Sequence, residues 1–267
     1  MDTIRSNDGT LIAFERSGNG PALVLVHGTT ADHTRWASVL PMLEQYFTVY
    51  AVDRRGRGES GDSANYAIER EYEDVAAVVR SISGLVNLLG HSYGALCSLE
   101  AALLVTNLNR LVLYEPYFPV TRSIYSTDIR ARIQAPLDSG DREAALLMFF
   151  REVVGMSEHE IALMRTEPVW KARLTAAHTI PREFADEDYV FDPLRFKNLE
   201  VPTTLLLSGN ESPDTLKAPT EAIHAALPES RIAVMPGQQH IAMRTAPEMF
   251  VRLVTDFLLE SGRYNKK

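Results

Sequence analysis

A single cysteine, Cys97, in a chain of 267 residues leaves no partner for an internal disulfide and too few thiolates for a structural zinc site. It falls in "ALCSLEAALL", which reads as a buried helix, so Cys97 is read as core filler. Positive charge is also in short supply: 27 Lys and Arg stand against 35 Asp and Glu, a net of −8, and no basic run, the terminal "KK" included, exceeds two residues. That balance favours neither a phosphate backbone nor anionic lipid, so no nucleic acid and no membrane partner is expected. No run of about 18 apolar residues occurs, and the opening "MDTIRSNDGTLIAFERSG" lacks the apolar stretch of a secretion signal. A cytoplasmic, soluble protein is expected, as a monomer or homodimer. There is no internal repeat and no low-complexity tract.

With 45% hydrophobic residues, and 15 Gly and 14 Pro spread along its length, the chain is long enough to bury a large core. Apolar runs of strand length alternate with segments of helical period: "PALVLVHG", "RWASVLPMLEQYF", "TVYAVD", "EYEDVAAVVRSI", "LVNLLGHS", "YGALCSLEAALLV", "RLVLYEP". This rhythm predicts a mostly parallel sheet with helices on both faces. The early segment "TLIAFERSG" alternates instead, as an antiparallel edge strand would. After "LYEP" the alternation stops, and residues 117–199 hold helical patterns such as "DREAALLMFFREVVG" and "EHEIALMRTEPVWKARLTAA" with no convincing strand. The sheet rhythm then resumes at "TTLLLSGN". Residues 1–116 and 200–267 are therefore expected to form one α/β core, with 117–199 inserted as a helical cap.

"GHSYG", Gly90 to Gly94, is a G-x-S-x-G that follows the apolar run "LVNLL" and opens a helical pattern. That is the setting of a nucleophile elbow, in which a sharp turn strains the serine backbone and exposes its hydroxyl, here Ser92. A serine nucleophile needs a base. Of seven histidines, His240 stands in "VMPGQQHIAM", after the last predicted strand, where a side chain reaches the C-terminal sheet edge. His27 and His91 lie close by in sequence and read as loop-shaping residues. The oxyanion of a tetrahedral intermediate needs backbone donors; the Thr29 amide after "LVHG" and the Tyr93 amide after the nucleophile are the candidates. "GRGESG" formally matches the dinucleotide fingerprint, but the loop "DSANYAIER" follows it where a helix should begin, so the match is set aside.

Taken together, "HGTT", "DRRGRGES", "GHSYG" and "PGQQH" resemble, in order and spacing, the α/β-hydrolase family over nearly the whole chain. The resemblance implies an eight-stranded mostly parallel sheet, a helical cap between strands six and seven, no metal and no cofactor. Most relatives carry an aspartate in the strand-seven loop, G-x-x-D; here Gly209, Asn210 and Glu211 are followed by Ser212. A neutral hydroxyl cannot support an imidazolium as a carboxylate does. Glu115 at the end of "RLVLYEP" stands where the zearalenone-lactonase branch and some haloalkane dehalogenases place the acid; Asp214 is the alternative, with Glu211 behind it. Ser92, His240 and Glu115 would then cleave an apolar carboxylic ester or lactone through an acyl-enzyme. Other readings on the same fold are a cofactor-free haloperoxidase or perhydrolase, a C–C hydrolase, and a ligand receptor that does no chemistry.

Overall fold

The computed structural model describes residues 1–120, 128–156, 158–166, 169–183, 189–197, 199, 204–227 and 229–260. Eight strands, β1 (Asp2–Arg5), β2 (Leu11–Gly18), β3 (Ala22–Val26), β4 (Thr48–Val52), β5 (Val86–His91), β6 (Leu108–Tyr114), β7 (Thr204–Gly209) and β8 (Arg231–Met235), form one sheet in the order β1-β2-β4-β3-β5-β6-β7-β8. The pairings of β1 with β2 and of β2 with β4 are antiparallel; all the others are parallel. "TLIAFERSG" is thus antiparallel, as its alternation predicts, but it is not the edge. The short, exposed "DTIR" covers it; four mostly solvated residues carry too little apolar pattern to be read as a strand.

β5 and β7 are buried at every position, which explains their unbroken apolar runs. Alternate side chains of the parallel strands feed two cores. Val24, Val26, Leu88 and Leu113 face α2 (Ile68–Ser81) and α3 (Tyr93–Ala102), while Leu23, Leu25, Leu89 and Val112 face Trp36 and α11 (Pro247–Leu259). The stretch "RWASVLPMLEQYF" forms less helix than its pattern suggests, only a 3₁₀ turn at His33–Trp36 and the four-residue α1 (Leu40–Leu43), with Pro41 at the start of the latter.

Between β6 and β7 the described residues hold helices and turns: α4 (Ile129–Asp138), α5 (Arg142–Met148), a π-helical turn at Phe149–Val154, α6 (Glu158–Arg165), α7 (Val169–Ala176) and α8 (Ile180–Glu183). Ile129, Ile133, Leu146, Phe150 and Ile180 give this segment an apolar cluster of its own. After β7 come α9 (Asp214–Ala226), then β8, α10 (Ala242–Thr245) and α11. The strand order runs outward from β3 to β4 in one direction and from β5 to β6 in the other. This reversal opens a crevice at the C-terminal ends of β3 and β5, where ligands of open α/β sheets bind.

Candidate active site

Gly28 ends the β3 side of that crevice and Ser92 begins the β5 side. They touch so closely that a Cβ on Gly28 would come within 2.8 Å of the Ser92 Cβ. Gly94, in the first turn of α3, lies so near the chain after β3 that a Cβ there would meet the His27 carbonyl oxygen at 2.3 Å. Any side chain at either position would push the two strand ends apart. Ser92 caps α3 at φ 57°, ψ −126°, and its amide donates to the Tyr114 carbonyl at 2.9 Å. Among the described residues three non-glycine positions have positive φ: Thr30 at 57°, Ser92 at 57° and Glu115 at 43°. All three lie at the crevice, the kind of place where strained backbone concentrates around function.

Glu115 follows β6 and is fully buried. Its Oε2 accepts from His240 Nδ1 at 2.7 Å, and its Oε1 accepts from the Gly209 amide at 2.8 Å. Burial pushes the Glu115 carboxyl up. The hydrogen bond and charge of His240, the Ser212 hydroxyl and the Gly209 amide outweigh it, so the carboxyl is held below the usual carboxylate range. Ser212 is buried beside it, its own hydroxyl lacking a well-aligned partner. Asp214, by contrast, is exposed in the first turn of α9, and Glu211 is exposed too. The geometry brings Glu115 to His240 and leaves the other two carboxylates in solvent.

Two residues fix the His240 loop from below. His91 Nε2 donates to the His240 carbonyl at 2.8 Å, and the two imidazoles lie 4.5 Å apart, centroid to centroid. Burial, with the nearby His240 charge next, pushes His91 well below its ordinary value, so it stays neutral with its Nδ1 bare. The Tyr114 hydroxyl donates to the Gln239 carbonyl and accepts the Ala242 amide at 2.9 Å. Tyr114 was not singled out by its sequence context, since a tyrosine ending an apolar strand reads only as core. His27, also fully buried, donates from Nδ1 to the Gly28 carbonyl at 2.8 Å and accepts the Arg54 amide at 3.1 Å. Burial, then the Arg54 charge, lowers it to about 3, so it shapes the loop as a neutral ring.

Ser92, His240, Thr29 and Tyr93 all line one cavity of roughly 230 Å³. Tyr93 is the first residue of α3, and the turn at Thr29 is closed by the Ala31 amide donating to the Gly28 carbonyl. The helical segment reaches the same cavity with Phe149, Val153 and Met164. It is tied to the sheet domain by charge: buried Glu183 accepts from both Arg54 and Arg57, which also hold Glu71, and at a partly exposed position Arg182 bonds Asp62 at 2.9 Å. The stretch "DRRGRGES" therefore serves as a scaffold of paired arginines, and no helix begins at "GRGESG".

Fold and crevice define a hydrolase of the α/β type. Residues 23–253 match the model of the alpha/beta hydrolase family, and the chain belongs to that family. It is similar to an alpha/beta hydrolase from Sphaerobacter thermophilus, with 36% identity over 96% of this chain and 99% of that one, at a TM-score of 0.85. A protein of Acinetobacter baylyi named (E)-2-((N-methylformamido)methylene)succinate hydrolase is 25% identical over 91% of this chain and 92% of its own. The enol-lactonase of Burkholderia xenovorans is 20% identical over 97% of this chain and all 100% of its own length, at a TM-score of 0.75, a likeness of fold. Among the described residues no helix is long and apolar enough to cross a membrane.

Proposed function

We propose that this hydrolase cleaves a carboxylic ester or lactone through an acyl-enzyme on Ser92. His240 takes the Ser92 proton as the hydroxyl attacks the carbonyl, and Glu115 holds the ring in the required tautomer and supports its positive charge. The Thr29 and Tyr93 amides receive the oxyanion. His240 then returns the proton to the leaving oxygen, and water, deprotonated by the same ring, releases the acid. The observation that carries this reading is the 2.7 Å contact between Glu115 Oε2 and His240 Nδ1, on a histidine that shares a cavity with a strained serine at a strand-to-helix turn.

Residues 117–199 are read as a lid whose apolar wall, Phe149 and Val153 among it, selects the acyl chain. The test is a screen of short esters, long esters and lactones against wild type and Ser92→Ala. An amide belongs in the screen because the Acinetobacter baylyi relative is named for a formamido compound. Ester or lactone turnover that vanishes in Ser92→Ala supports the proposal. Turnover undiminished in that variant, or confined to the amide, contradicts it.

A further inference from the structure

The cavity over Ser92 is walled largely by apolar side chains, yet Arg35, Arg173 and Arg244 open onto it. Elsewhere the buried arginines are matched by acids: Arg54 and Arg57 share Glu71 and Glu183, and Arg55 takes Asp74 and Asp8. Arg35 and Arg173 form no ion pair among the described residues. Arg173 is 6% exposed, donates from Nη1 to the Thr30 hydroxyl at 2.8 Å, and leaves its Nε buried without an acceptor. Its guanidinium lies over the Phe150 ring, 5.6 Å from the centroid. Arg35 is half-buried in the 3₁₀ turn at His33–Trp36.

The acids nearby are already engaged. Asp32, whose charge favours Arg173, spends its carboxylate capping the turn, accepting the Thr34 amide at 2.9 Å and the Thr34 hydroxyl at 2.5 Å. Glu183, on the cavity wall, is held by Arg54 and Arg57 through Oε1 alone, and its Oε2 is buried without a hydrogen-bond partner among the described residues. Burial pushes Arg35 down to about 9, with Arg173 adding to the effect, and burial alone brings Arg173 down to about 10. Two guanidinium groups that repel each other in a largely apolar cavity are costly unless something anionic joins them.

We propose that Arg35 and Arg173 form a carboxylate-binding subsite, so that the substrate is an ester or lactone with an apolar body and a free carboxylate in addition to the scissile carbonyl. This rests on the Ser92 cavity being the reaction site and narrows its substrate class. A guanidinium offers two parallel N–H donors to a carboxylate, which fixes orientation as well as affinity. Arg35 belongs to the loop after β3 and Arg173 to α7, so one carboxylate would bridge the sheet domain and the helical segment.

Calorimetric titration of Ser92→Ala protein with monomethyl glutarate and with dimethyl glutarate tests the subsite without turnover. The acid is expected to bind about tenfold or more tightly than the neutral diester, the range of a charge-assisted hydrogen bond. Arg35→Gln and Arg173→Gln, each added to that background, should cut this preference severalfold. Arg173→Lys keeps a charge for a chain that needs one there to fold, and should retain part of the preference. Equal binding of the two compounds, no measurable binding of the acid, or a preference untouched by both glutamine variants overturns the proposal. Because the readout is affinity, loss of Ser92-dependent turnover elsewhere would sink the catalytic reading and leave this ratio to decide the subsite independently.

Discussion

Glu115 is held in a conformation that costs a non-glycine residue about 1–3 kcal/mol, and its carboxylate is out of water as well; both penalties are met by fixed donors. If its charge serves His240, Glu115→Gln, which keeps the shape, should lower kcat on a p-nitrophenyl ester by about 10³ to 10⁴, while Asp214→Asn changes it less than about twofold. A large loss from Asp214→Asn would reverse the assignment. His91 bonds the His240 carbonyl and also borders the cavity, and the His240 bond is its link to the proposed base. His91→Phe keeps the ring and removes one hydrogen bond of ordinary net worth, so kcat should fall roughly tenfold with little change in KM. A KM effect alone would make His91 a cavity wall and nothing more. Ser92 and His240 were legible because each sits in a short motif, and Glu115 because Ser212 leaves a gap that some carboxylate has to fill. His91 and Tyr114 were not legible as supports of His240, since their bonds join residues 149 and 125 positions apart.

At the scale of elements, the helical segment is fastened to the sheet domain by charge as much as by apolar contact. Asp62 bonds Arg182 and lies 3.7 Å from His178; burial raises its carboxyl, but the hydrogen bond with His178, the charge and hydrogen bond of Arg182 and the Ser63 amide bring it down to about 2. A folded value below the unfolded one, about 3.9, means that the tie stabilises above that unfolded value and is lost as pH falls through about 2. Asp62→Asn should therefore lower Tm slightly at neutral pH, by the modest amount expected of a partly exposed pair, and the gap from wild type should close toward pH 2. A gap that is constant with pH would show that shape, not charge, makes the tie. The alternating rhythm revealed the parallel strands and the helical insertion because burial imposes period on sequence. It overstated the helix after β3, where Pro41 and packing on Trp36 break the pattern. It also gave no hint of the π-helical turn that brings Phe149 and Val153 to the cavity. The pattern "EHEIALMRTEPVWKARLTAA" spans both α6 and α7, and positions 167–168 lie outside the described residues.

For the whole molecule, a net charge of −8 conceals a positively lined cavity, because burial sorts charges by position and composition only adds them. The sheet brings together the ends of β3, β5, β6 and the loop after β8, four places spread from Gly28 to His240, and the proposed chemistry exists only where they meet. Covalent capture at that meeting point is the most direct test. Wild-type protein treated with a fluorophosphonate and digested should carry one stoichiometric adduct, on the peptide containing Ser92. Glu115→Gln should acquire it much more slowly, and Ser92→Ala not at all. An adduct absent from Ser92 in folded wild-type protein, or present undiminished in Ser92→Ala, would contradict a serine nucleophile at the β5 turn.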